Sequence, residues 1–121
     1  MSIAFPTQPI KMQFEQNVLQ GWHDAHGLDA GNVTSSWGDD RVIVMIEDAL
    51  FKGEHLLTQS ETGNAVLKKY VEELLSYIAN EHAGDLSNLL QRQIISTSFS
   101  INTLESWVMF IFRLGEPDGF R

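Results

Sequence analysis

Four histidines and sixteen acidic side chains are the groups in this 121-residue chain that could move protons or hold a metal ion, and cysteine is absent. His23 and His26, in the stretch Trp22-His23-Asp24-Ala25-His26-Gly27, stand three residues apart. On a helix both would project to nearly the same side and could share an ion. A competent site takes three or four ligands, however, and His55 and His82 are isolated in other parts of the chain. Histidines in the last turn of a helix also interact favourably with its negative end, and a glycine directly after them is the usual C-cap. The helix end is therefore the preferred account: no metal is expected, and replacing both histidines by alanine is expected to cost little.

The other acid and histidine pairs invite the same comparison. Asp39 and Asp40 are adjacent in a segment that reads as extended, so their carboxylates point to opposite faces and do not converge on one ion. A solvated turn explains them better. Glu47-Asp48 and Glu54-His55 flank a loop, and a carboxylate beside a histidine is the minimum for acid–base work. No nucleophile motif, phosphate loop or dinucleotide fingerprint accompanies them, so neither an enzyme nor a cofactor is expected. Trp37, Trp107 and Phe110 have the makings of an aromatic platform, although aromatics at strand spacing are more often core. If a small molecule is held, its expected place is a pocket between the sheet and the long helix, near Glu54, His55 and Trp107.

The elements that must position these residues follow from hydrophobic period. Phe14, Val18, Leu19 and Trp22 fall at helical spacing, predicting a helix from about residue 11 to 26 after an irregular arm, residues 1–10, broken by Pro6 and Pro9. Val33, Ser35 and Trp37 alternate with polar residues, and the turn 38–40 leads into the all-apolar run 42–46, predicting a hairpin with a central second strand. A loop and a short helical turn cover 49–57. Leu67, Tyr70, Val71, Leu74, Leu75 and Ile78 make an apolar stripe that predicts a long helix from about 64 to 82. Gly84 is expected to interrupt it and Asp85 to cap a further stretch. From Ile95 to Ile101 the even positions are all serine, a strand with one solvated face, and a turn at Asn102-Thr103 returns into a strand over 106–112. The expected fold is α+β: helix–strand–strand–helix–strand–strand, a two-layer sandwich of a four-stranded, mainly antiparallel sheet with its helices on one face. The domain is expected to span 11–114, with a flexible tail over 115–121.

Charge bounds the partners. Sixteen acids against eight bases give a net charge of −8, so attraction to phosphate backbones or anionic lipid is not expected. No apolar run approaches the ~20 residues of a membrane span, and direct membrane insertion is not expected. The absence of cysteine and of a secretory leader makes the cytoplasm the expected compartment. Half of the net charge falls in 39–62, which holds six acids and two bases. Asp39, Asp40, Glu47 and Asp48 are therefore the expected interaction surface, alongside the sheet edges, which favour a homodimer.

The segment Asp39-Asp40-Arg41-Val42-Ile43-Val44-Met45-Ile46-Glu47-Asp48-Ala49-Leu50-Phe51-Lys52-Gly53-Glu54-His55-Leu56-Leu57 resembles a family pattern of acidic pair, apolar strand, and a Leu-Thr-Pro-Ala-Glu turn followed by leucine. From about residue 14 to Leu114 the chain is similar to the MpsC-like family, small bacterial proteins named as a component of a sodium-translocating, membrane-potential-generating system. Phe51-Lys52-Gly53 departs from the family's Thr-Pro-Ala, which implies a looser start to the short helix. Gly27 matches the first glycine of the family's loop after helix one, without that loop's arginine, and Asn64 and Val71 stand where relatives often carry arginines. The resemblance implies an accessory protein without an established catalytic residue, with a protein partner at a membrane complex. The alternative expectation is a small-ligand sensor.

Overall fold

The computed structural model describes residues 6–28 and 31–116. In chain order the elements are α1 (Gln8–His26), β1 (Asn32–Trp37), β2 (Arg41–Glu47), α2 (Lys52–Leu56) followed by a 3-10 turn, α3 (Glu61–Leu90), β3 (Ile94–Asn102) and β4 (Trp107–Leu114). The strands form one antiparallel sheet in the order β1-β2-β4-β3, so the two all-apolar strands are central and the half-polar ones are the edges. This is the expected α+β arrangement.

One face of the sheet carries Val42, Val44, Ile46, Val108, Phe110, Phe112 and Leu114, all buried. Phe14, Val18 and Trp22 of α1 and Leu67, Val71, Leu75 and Ile78 of α3 complete that core. The helical and strand periods each put one apolar stripe on the shared side, and burying them together drives the fold. The two helices pack closely at Gly21, where a Cβ would lie 3.0 Å from Ile78 Cγ2 and 3.1 Å from His82 Nε2. A larger residue would push α1 off α3.

Several boundaries differ from expectation. α1 begins at Gln8, inside the expected arm, because Pro9 sits in the first helical turn, where a missing N–H costs nothing. Residues 1–5 and 117–121 lie outside the described part of the chain. Gly115, in the expected tail, is tied down: its N–H donates to Gln93 O at 2.8 Å. α3 is one helix of 30 residues that passes through Gly84. A helical glycine costs only about 1 kcal/mol, and the buried Ala79 and Leu86 on either side hold the segment down. Its start is set by Ser60, whose Oγ accepts from Gly63 N, and its end by Gln91 in the left-handed region. In β3 a bulge between Ile94 and Ser96 breaks the alternation, so Ile94 packs on the core while Ile95 is 57% exposed. Ile95 was expected on the buried face; the extra residue turns it outward.

Candidate functional site

Helices cover only one face of the sheet. The other face is read directly from the registers. Asn32, Glu47, Trp107 and Asn102 form one cross-strand row; Thr34, Met45, Met109 and Ser100 the next; Ser36, Ile43, Ile111 and Ser98 the third; Arg41, Arg113 and Ser96 the last. Two inner rows of paired large apolar side chains are thus flanked by hydroxyls. They end in a carboxylate on one side and two neighbouring guanidiniums on the other. Ile43, Met45, Trp107, Met109 and Ile111 are each partly exposed. Central strands that are apolar on both faces belong to sheets covered on both sides. Here the second cover is not supplied by any described element.

The expected surface acids do not form one patch. Asp39 and Asp40 occupy the β1–β2 turn, whereas Glu47 and Asp48 lie at the far end of β2, about 20 Å away at the usual rise per residue. Asp40 Oδ1 lies 3.5 Å from Arg41 Nε.

Nor do Glu54, His55 and Trp107 share the space between the sheet and the long helix, because Trp107 is on the other face. Trp107 lies on the open face, opposite the helices, because β4 alternates and its even-numbered residues are the buried ones. His55 is exposed. Phe110 and Trp37 are on the helix side, Trp37 packed edge-on against Phe14 with centroids 5.3 Å apart, so no three-aromatic platform exists. Trp37 Nε1 donates to Ser35 Oγ, and that hydroxyl donates to the Glu15 carboxylate, which fixes β1 to α1.

Glu54 meets a residue 28 positions earlier, at the end of α1. His26 Nε2 and Glu54 Oε1 are 2.7 Å apart, and Glu54 Oε1 also accepts from Phe51 N at 2.8 Å. The latter bond replaces the N-cap that Phe51 itself cannot supply, so the start of α2 is held from its third residue. The imidazole is stacked between Trp22, 4.5 Å away, and Phe51, 4.9 Å away. Trp22 Nε1 donates to Ala49 O at 3.0 Å, and Ala49 N to Ser106 O at 2.9 Å, joining the end of α1 to the loop after β2 and to the β3–β4 turn. Gly27, with φ of 95°, closes α1 by donating to His23 O, as a C-cap glycine should. The helix-end account of the two histidines therefore describes the backbone, but not the His26 side chain, which is fully buried and paired. Its burial and pairing speak against the expectation that its removal costs little. Helical spacing carried the missed signal, since His26 follows Trp22 by four residues and continues the buried stripe. No group of three or more potential metal ligands occurs among the described residues.

The described residues form a helix-backed two-layer α+β domain whose second sheet face is apolar and open. Residues 8–116 match the family described as "Na+-translocating membrane potential-generating system (MpsC)". The chain belongs to that family. No curated protein matches it. Among the described residues, no helix is long and apolar enough to cross a membrane.

Proposed function

We propose that this chain is a non-enzymatic accessory component that works by docking, and that its open sheet face holds a second copy of the chain. Family membership connects it to a membrane-potential system, and the absence of any spanning helix among the described residues supports an accessory part beside the transporting component. Its place in the proposal is the cytoplasm, in keeping with a cysteine-free acidic chain.

The observation that carries the docking surface is the missing second layer over Ile43, Met45, Met109 and Ile111. Charge complementarity names the occupant. A dyad lying between two such faces, perpendicular to the strands, reverses the strand direction of the partner. The Glu47 row of one copy then meets the Arg41–Arg113 row of the other, and the methionine pair meets the isoleucine pair. The face is self-complementary in shape of charge as well as in polarity. Four strands at about 4.8 Å and six residue steps at about 3.3 Å give a projected face on the order of 400 Å² per copy, so the dimer belongs with small, reversible interfaces.

Sedimentation at concentrations from micromolar to several hundred micromolar tests this. Wild-type protein should show a concentration-dependent dimer. Met45→Glu and Ile111→Glu should be monomeric with unchanged circular dichroism, and Glu47→Arg should weaken association by roughly tenfold or more, since it sets like charges face to face. A strict monomer throughout, or a dimer indifferent to these changes, would sink the proposal.

A further inference from the structure

Arg92 stands two residues past the end of α3 and is 7% exposed. Its Nε donates to Gly115 O at 2.9 Å, and its Nη2 donates to Gly115 O at 2.7 Å and to Asp39 O at 2.8 Å. Three of the five guanidinium N–H groups are thereby used, all on backbone carbonyls. No carboxylate pairs with Arg92 among the described residues. A buried charge held only by dipoles is costly unless an opposite charge reaches it. The two N–H groups on Nη1 have no acceptor among the described residues. His26 Nδ1 is the sealed side-chain polar atom without a partner among the described residues, so Nη1 is not sealed.

Arg92 also lines a cavity of about 160 Å³, with Ile10 from the start of α1, Trp37 from the end of β1, Leu89 and Leu90 from the end of α3, and Leu114 from the end of β4. An apolar cavity of about 150 Å³ accommodates a benzene ring. Arg92, pinned on one edge and unsealed at Nη1, lines this ring-sized, largely apolar cavity, and a guanidinium beside such a cavity suits an amphipathic anion: the tail would displace water from the apolar wall, and the carboxylate would accept the Nη1 protons in a charge-assisted bond. We infer that this cavity binds a small organic carboxylate with an aromatic or branched aliphatic tail, Arg92 neutralising its charge. The site lies on the helix side of the sheet, at one end of the sandwich, so it is independent of the docking face and does not require that proposal to hold.

The inference is tested with benzoate, phenylacetate and 4-methylpentanoate, each beside its neutral amide, and with acetate and inorganic phosphate as anions without a tail. Binding is read by thermal shift, calorimetry and the Trp37 indole amide resonance. At least one of the three acids should raise the melting temperature saturably, by roughly 5 °C at ten times its dissociation constant, and shift the Trp37 resonance. Its amide should bind at least about tenfold more weakly, and acetate and phosphate should give no saturable shift. Leu90→Trp fills the cavity while leaving Arg92 in place, and this folded variant should lose the response; Arg92→Gln should lose it too, if it folds. Absence of a saturable shift with all three acids, equal binding of acid and amide, or a response that survives Leu90→Trp would each overturn the assignment.

Discussion

Replacing His26 by alanine tests the junction between α1 and α2 most directly. The imidazole is fully buried, lies between the Trp22 and Phe51 rings, and bonds to a carboxylate that is itself 18% exposed. Removing a buried ring of this size costs about 3 kcal/mol in lost contacts and residual cavity. The bond to Glu54 adds about 1 kcal/mol, at the low end for a charged acceptor because solvent reaches Glu54. Against this, Nδ1 is buried without a partner, and eliminating such an atom returns on the order of 1 kcal/mol. The net is a destabilisation of about 3 kcal/mol. His26→Phe separates the contributions: it keeps the stack, removes the orphaned nitrogen and gives up the Glu54 bond, so it should fall within about 1 kcal/mol of wild type. Urea unfolding followed by far-ultraviolet circular dichroism measures both, and unchanged slopes would show that the compactness of the end states is the same. An alanine variant within about 0.5 kcal/mol of wild type would refute the packing argument. A phenylalanine variant as damaged as the alanine one would instead show that the Glu54 bond, and not the stack, holds the junction.

Glycine positions supply two further tests. Gly84→Ala should stabilise by about 0.5–1 kcal/mol, measured as a melting temperature a few degrees higher, because Gly84 lies within α3 and a Cβ there meets nothing within 4 Å. Gly63→Ala should destabilise by about 1–3 kcal/mol in the same unfolding assay: its Cβ would collide with the Leu57 carbonyl oxygen and lie 2.9 Å from the Ser60 Oγ that caps α3.

The two periods written into the chain carried the fold a long way. The stripe from Leu67 to Ile78 placed α3 on the core, and the all-apolar run 42–46 placed β2 at the centre of the sheet. What escaped was set by contacts that leave no local trace. Gly84 looks like a stop in one dimension, yet anchoring by Leu86 carries the helix through it. A bulge at Ile95 exchanges the faces of two neighbouring isoleucines, and nothing in Ile94-Ile95 says which will turn inward. The site was less legible than the fold. Glu54 was singled out as a pocket residue, but its partner is His26, 28 positions earlier, and only the packing of α2 onto the end of α1 brings them together. Trp107 was assigned to the helix side because an aromatic suggests core. The register with Glu47 and Asn102, both polar, puts it on the open face.

The distribution of arginine ties the two proposed surfaces together. In a chain of net charge −8 with four arginines, three of them, Arg41, Arg92 and Arg113, gather at the end of the sheet where β2 begins and β4 ends. If arginine served only solubility, this clustering would be a cost, since like charges at neighbouring strand positions repel. Arg41 and Arg113 are direct cross-strand partners on the open face, and Arg92 is buried behind the same turn by its bond to Asp39 O. Asp39 and Asp40 stand at the same end, Asp40 Oδ1 3.5 Å from Arg41 Nε, so in the proposed dimer the attraction to Glu47 of another copy would come from the Arg41–Arg113 row of the open face and not from the field of the whole end. The two proposed roles fall to different groups: exposed guanidiniums, screened by salt, would set the orientation of the proposed dimer, whereas the buried guanidinium, shielded from salt, would serve the proposed ligand site. Association should therefore weaken as ionic strength rises, and carboxylate binding should respond to salt far less.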